Sequence, residues 1–272
     1  MSERRSFENA FWVCPVCRAP LTADGGSFRC PDGHCYDISG TGYVNLLRSS
    51  SAGNHGDDRL MVRARREFLD RGFYAPLADA LSALAAESAG PGDRILDAGC
   101  GEGYYTRRMA AASGAVTAGV DVSKAAVAAA AKRDRSLLAA VASAADLPVG
   151  DGSVDLLTSV FAPVFAGEFR RVLRPGGRLI RVVPGERHLW ELKTLVYDRP
   201  YENPAPVPEL EGFCTESIRR VEYELALCDN AALRQLFMMT PYYYKTGRAD
   251  QAKLEAATEL TTRVEFVVIV HS

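Results

Sequence analysis

Four of the seven cysteines lie between residues 14 and 35, namely Cys14, Cys17, Cys30 and Cys35, and His34 falls among them. CPVC (14–17) with Cys30 and His34 reads C-x2-C-x12-C-x3-H. A CxxC turn brings two thiolates to one side of an ion, and a second short-range Cys/His pair from a facing hairpin completes tetrahedral zinc. Four protein ligands leave no open position, so the metal is expected to be structural and to supply folding free energy to a small module. Cys35 offers C-x4-C as an alternative second half, and a redox CxxC is the competing reading of the knuckle. His34 is the preferred fourth ligand.

The second chemical stretch is LDAGCGEGYY (96–105). An apolar run ends at Asp97, and Gly99, Gly101 and Gly103 alternate before a helix begins. Glycines so spaced let the backbone turn sharply and approach a ligand closely. GVDVS places Asp121 at the end of the next strand, where a carboxylate can accept from both hydroxyls of an adenosine ribose. AADLP then places Asp146 beyond a third strand, where it can accept from an adenine amino group.

These residues need a parallel sheet to position them. RILDAG (94–99), AVTAGVDV (115–122), LLAAVAS (137–143), VDLLTSVF (154–161) and, after an RPGG turn, GRLIRVV (177–183) read as strands. Helical stretches at 76–88, 104–112 and 124–132, the last capped by Ser123, alternate with them. That rhythm implies α/β architecture with helices on both faces. SIRRVEYELAL and RVEFVVIVHS add two late strands, and YENPAPVPELEGF (201–213) is expected to be an ordered loop over one end of the sheet. The expected division is a zinc module (1–46), a linker with connecting helices (47–90, including SSSAGNHGDD at 49–58) and a large domain (91–272).

With 272 residues, 47% hydrophobic and 24% charged, the chain has material for one large domain and a small appendage, which excludes disorder as its main state. No apolar run is long enough to span a bilayer, and the start lacks a secretory apolar core, so a cytoplasmic protein with no membrane partner is expected.

The loop, the acidic strand end and ADLP together resemble class I S-adenosylmethionine (SAM) methyltransferases, over about residues 90–185. That resemblance implies a Rossmann-like, mostly parallel seven-stranded sheet. It puts Asp97, Gly99, Gly101, Glu102 and Gly103 around the methionine and ribose end, Asp121 on the ribose hydroxyls, and Asp146 with Leu147 at the adenine. A NAD-dependent dehydrogenase is the alternative for the loop alone. Nearly the whole chain further resembles the RlmA family of bacterial 23S ribosomal RNA guanine-N1 methyltransferases and its macrolide-resistance relatives. The resemblance runs through CPVC…C…H, GYVNLL (42–47), ARREFLDRGFYAPL (64–77), DAGCGEGYYT, FAP (161–163), RPGG, PGERHLWELK (184–193), LEGF (210–213) and MTP (239–241). It implies zinc on Cys14, Cys17, Cys30 and His34, and Tyr74 and His188 closing the cofactor pocket. It also implies a guanine in a 23S rRNA hairpin loop as substrate, and a homodimer.

Guanine N1 carries a proton, so methylation requires its departure and a base exposed against aromatic surfaces. Phe161, Tyr242, Tyr243 and Tyr244 are candidate stacking surfaces, core packing being the alternative for the tyrosines. His188 and Glu191 are candidate proton acceptors, although the resemblance makes His188 a cofactor contact. The net charge, 32 − 34 = −2, excludes a polybasic nucleic-acid binder. Arg59, Arg63, Arg65, Arg66 and Arg71 against Glu67 and Asp70 make a local +3 that fits phosphates or, equally, a helix face paired at i,i+4. The near-neutral charge keeps open a methyltransferase acting on a small natural-product substrate.

Overall fold

A computed structural model describes residues 7–48 and 56–272. Of the connector expected at 49–58, residues 49–55 lie outside the described residues. The chain opens with a small antiparallel sheet of β1 (Thr22–Asp24), β2 (Ser27–Arg29) and β3 (Cys35–Asp37). Strand β4 (Tyr43–Asn45) and helices α1 (Arg59–Asp70) and α2 (Ala75–Ser88) follow. The large sheet then alternates β5 (Arg94–Ala98), α3 (Tyr104–Ser113), β6 (Val116–Asp121), α4 (Lys124–Arg133), β7 (Leu138–Val141), β8 (Val154–Val160), α5 (Ala166–Val172) and β9 (Leu173–Pro184). Helix α6 (Trp190–Val196), β10 (Thr215–Leu227), α7 (Asn230–Met238), α8 (Arg248–Ala256) and β11 (Leu260–His271) complete it.

The strand order is β10-β11-β9-β8-β5-β6-β7-β4. From β9 to β4 every neighbouring pair is parallel, and β11 runs antiparallel between β9 and β10. Burial on both faces explains why β5, β6 and β7 read as continuous apolar runs. Edge strand β10 is exposed along most of its length. Ser123 caps α4 as expected, accepting from the Ala126 N–H at 3.2 Å.

Two details differ from expectation. The large sheet has eight strands instead of seven, because Tyr43–Asn45 of GYVNLL pairs parallel with Ala139–Val141 and covers what would be the open edge of β7. RPGG is a bulge inside β9 instead of a turn before it. The β8–β9 register passes from Val154↔Leu173 to Leu156↔Arg178, and Gly176 takes φ 78° to let the extra residues leave the ladder. Residues 201–213 form irregular chain, tied down in part by Arg181 donating to the Val207 carbonyl at 2.5 Å.

The cysteine-bearing module is packed onto the large sheet. Trp12 and Phe28, both nearly inaccessible, share one apolar cluster with Val44, Leu147, Val149 and the β5–β7 strands. Trp12 also bridges Val149 in antiparallel fashion. No helix among the described residues is long and apolar enough to cross a membrane.

Candidate functional site

The glycine loop leaves the end of β5 and is pinned from beneath, the N–H groups of Gly99 and Cys100 both donating to the Val120 carbonyl at 2.8 and 3.0 Å. Its three glycines do different work. A Cβ on Gly99 would overlap Ala162, and one on Gly103 (φ 81°) would lie 2.9 Å from the Ala130 Cβ, so both are small because protein packs against them. Gly101 (φ 55°) faces open space, with only the Arg65 guanidinium 3.6 Å from such an atom. Here a ligand can approach the backbone.

Asp97 is buried, its two carboxylate oxygens accepting from Thr106 Oγ1 at 2.5 Å and Thr158 Oγ1 at 2.8 Å. Burial pushes its carboxyl up to about 6 against those two hydrogen bonds. Asp121 accepts the Gly101 N–H at 3.0 Å and the Ser123 N–H at 2.8 Å, one per oxygen. Each oxygen keeps a free lone pair, as a ribose-diol acceptor needs. Burial raises this carboxyl too. Ser123 Oγ donates to the Asp57 carbonyl at 2.6 Å, and Asp57 pairs with Arg65, so the start of α1 is held beside the same strand end.

Glu102 is placed differently from the ring of cofactor contacts expected of it. Its side chain is 1% exposed and pairs at 2.6 Å with Arg133, which also reaches Asp70 at 2.6 Å. It thereby anchors the loop to α4 and α1. Asp146 is half-exposed, and its two oxygens face Arg18 at 3.2 Å and Arg48 at 3.8 Å. Leu147 is fully buried, its N–H bound by Glu168 at 2.6 Å and its carbonyl by Arg171 at 3.0 Å.

Tyr74 and His188, 114 positions apart in sequence, come together around Phe266, with ring centroids 4.9 Å and 4.8 Å from it. Burial, and then the charge of Lys193, push the His188 imidazole down to about 3, so it is neutral near pH 7. Its Nδ1 accepts the Glu265 N–H at 3.1 Å, which leaves the proton on Nε2. A neutral ring whose acceptor nitrogen is occupied is a hydrogen-bond donor and not a base. Glu191 is also engaged, accepting from the Arg263 N–H at 2.8 Å and from Thr262 at 3.1 Å. His188 is thus not a free acceptor, whereas Glu191 takes both of these bonds on one oxygen, Oε2.

The aromatic candidates separate. Tyr242 is buried in the core, with its hydroxyl on Asn203, and Tyr243 packs against that core. Tyr244 is exposed, and its hydroxyl donates to Asp58 at 3.0 Å. Phe161 is 44% exposed, sits 5.3 Å from Phe266 and has φ 56°, an unfavourable conformation for a bulky side chain. Four of the five arginines behind the local +3 form ion pairs. Arg63 pairs with Glu67, Arg65 with Asp57, Arg66 with Asp70 and Arg71 with Asp229.

Glu265 was not singled out in sequence. It is 5% exposed and accepts the Arg187 N–H at 3.0 Å and Arg220, while its backbone binds both Gly185 and His188. Its one legible signal is a carboxylate inside the apolar run RVEFVVIV. Thr106, Thr158 and Arg133, which hold Asp97 and Glu102, carried no such signal.

In the knuckle, the ligand atoms of Cys14, Cys17, Cys30 and His34 lie within 4.8 Å of one another. Cys17 Sγ and Cys30 Sγ are 3.6 Å apart, and Cys30 Sγ is 3.3 Å from His34 Nδ1. Those are edge lengths of a tetrahedron with metal–sulfur bonds of about 2.3 Å. Burial opposes ionisation of Cys14, but the N–H groups of Cys17 and Val16 and the Tyr36 hydroxyl outweigh it and hold the thiol below its ordinary value. The residues fit zinc, and Cys35, exposed on β3, lies outside the cluster. SAM is tested by the loop itself. Gly101 leaves open space, Asp121 retains acceptor capacity, and the buried Tyr105 hydroxyl one residue into α3 has no hydrogen-bond partner among the described residues. The residues fit this group too.

Comparison with known proteins bears on both halves. The family described as "RlmA, N-terminal" matches residues 12–50, and "Methyltransferase domain" matches residues 96–181. A Bacillus subtilis (strain 168) protein named "Putative 23S rRNA (guanine-N(1)-)-methyltransferase YxjB" is 31% identical, over 97% of this chain and 99% of its own length. A 23S rRNA (guanine(748)-N(1))-methyltransferase of Streptomyces fradiae is 41% identical, over 66% of this chain but 65% of its own length. Among solved structures, a geranyl diphosphate C-methyltransferase from Streptomyces coelicolor A3(2) is similar with a TM-score of 0.48 and 15% identity, over 83% of this chain and 87% of that one.

Proposed function

This chain belongs to the RlmA family, methyltransferases that use SAM and carry an N-terminal zinc ribbon, and from that premise we propose that it methylates N1 of a guanine in a hairpin loop of 23S ribosomal RNA. The observation that carries this reading is the relationship to YxjB, which runs through ribbon and methyltransferase domain alike. The proposed parts are a substrate-recognition ribbon at 1–46, connecting helices at 47–90 and the methyltransferase domain at 91–272. A homodimer acting in the cytoplasm completes the proposal.

In this reading Asp121 holds the ribose hydroxyls, and Asp146 with Leu147 borders the adenine. Asp97, Gly99, Gly101 and Gly103 shape the methionine end, and Glu102 keeps the loop in place through Arg133. Tyr74 and His188 close the far wall, the imidazole offering its Nε2 proton as a donor. SAM supplies a methyl group already activated on a sulfonium, so the protein's task is mainly orientation. Phe161, exposed next to Ala162 and the Gly99 turn, is the proposed surface against which the unstacked guanine lies. With His188 protonated on Nε2, the N1 proton is proposed to pass to water at the mouth.

The test is methyl transfer from labelled SAM to 23S rRNA hairpin transcripts, with reverse transcription to find the modified base. N1 methylation blocks Watson–Crick pairing, so a stop at one guanine, absent with Asp121→Ala, is expected. Turnover of a small natural-product substrate with RNA inert would overturn the proposal.

A further inference from the structure

The turn that the proposed function gives to adenine is held by the metal knuckle. CPVC closes with the Arg18 N–H on the Cys14 carbonyl at 2.9 Å and the Cys14 N–H on the Ala19 carbonyl at 2.8 Å. Arg18, leaving that closure, takes φ 61°. The left-handed residue sends its side chain across to the large sheet. One guanidinium nitrogen, Nη1, lies 3.2 Å from Asp146 Oδ1 and donates to the Leu147 carbonyl at 3.3 Å. Arg48, just beyond β4, faces the other oxygen of Asp146 at 3.8 Å. The backbones meet in the same place, the Val13 N–H donating to the Pro148 carbonyl at 2.8 Å.

We propose that Arg18 is a positioning residue for the adenine of SAM: it transmits the shape of the Cys14–Cys17 knuckle to the Asp146–Leu147 turn and fixes the direction in which the Asp146 carboxylate accepts. The inference rests on the reading of that turn as the adenine site. It assigns the ribbon a second task besides substrate recognition, since Arg18 and Val13 of the metal module help hold the turn. Both oxygens of Asp146 face arginines, yet each retains a lone pair. The arginines therefore orient the carboxylate without exhausting it. Arg171 also binds the Leu147 carbonyl, so losing Arg18 should loosen the carboxylate and leave the turn itself in place.

The experiment compares binding of S-adenosylhomocysteine with that of S-inosylhomocysteine, which lacks the 6-amino group, by calorimetry on the zinc-loaded full chain. Wild type should prefer the amino ligand about tenfold, the worth of one hydrogen bond to a charged acceptor. Arg18→Gly removes the guanidinium without strain, because glycine accepts a positive φ. With bound zinc unchanged, it should shrink the preference to about two- to threefold, Arg18→Lys should restore part of it, and Asp146→Ala should abolish it. Equal weakening of both ligands in Arg18→Gly, with the preference intact, would mean a merely structural arginine and would overturn the proposal. If wild type binds the two ligands equally, the adenine assignment of the turn falls, a result distinguishable from failure of Arg18 alone.

Discussion

Replacing Asp97 by Asn asks how much the fold gives up to keep an ionised carboxylate beneath the glycine loop. Asp97 is 2% exposed, and the only hydrogen bonds to its carboxylate among the described residues are those from Thr106 and Thr158. Burial raises its carboxyl from 3.8 to about 6, the nearby Asp121 adding to the effect. That difference of about two pH units corresponds to about 3 kcal/mol at 1.36 kcal/mol per unit. Because the folded value lies above the unfolded one, the folded protein binds the extra proton between about pH 4 and pH 6. The stabilising contribution of this group is therefore complete below about pH 4 and is lost as pH rises through about 6.

An asparagine does not ionise, and both threonine hydroxyls can accept as well as donate. Urea unfolding of wild type and Asp97→Asn from pH 4 to pH 7.5 should show the difference moving toward the variant by up to about 3 kcal/mol. Acid release of zinc is common to both proteins and cancels. SAM is cationic at its sulfonium and should favour the ionised form, so saturation with it should draw the wild-type midpoint below 6. A stability difference that stays flat across this range would refute the burial argument.

Gly103→Ala should destabilise by about 2 kcal/mol, from the left-handed backbone and the close Ala130 contact together, and should weaken SAM binding; denaturant unfolding and a titration read both. Glu265→Ala strands the Arg187 N–H and should cost about 1–3 kcal/mol in the same unfolding assay. Glu265→Gln keeps an acceptor there and should lose less. Metal analysis should find one zinc per chain in Cys35→Ser and substoichiometric zinc in His34→Ala, as expected if the four clustered ligands hold it; the reverse pattern would exchange the two residues.

The parts of this protein legible in its sequence are those encoded by short spacings. The knuckle declares itself within the 21 residues from Cys14 to His34, and the glycine loop, the Ser123 cap and the five buried strands within shorter stretches still, because turn geometry and burial act locally. Charge was less legible. The arginines of α1 looked like a phosphate surface or a paired face, and only folding brought Asp57, Asp229 and the α4 residue Arg133 to the charges on that helix. Likewise His188 read as a possible base until the tertiary structure buried it and put the Glu265 N–H on its only acceptor nitrogen.

Sequence alone thus determined the buried strands, the helices between them and the clustered metal ligands. It did not determine what each polar side chain is paired with. Tertiary structure decided that Glu102 anchors a loop, that Tyr242 is core, and that β4 of the metal module closes the sheet edge beside Asp146. The reason is physical: a polar group's role is set by desolvation and by partners within about 3 Å. Here those partners come from far along the chain, 129 positions for Arg18 and Leu147 and 186 for Tyr244 and Asp58.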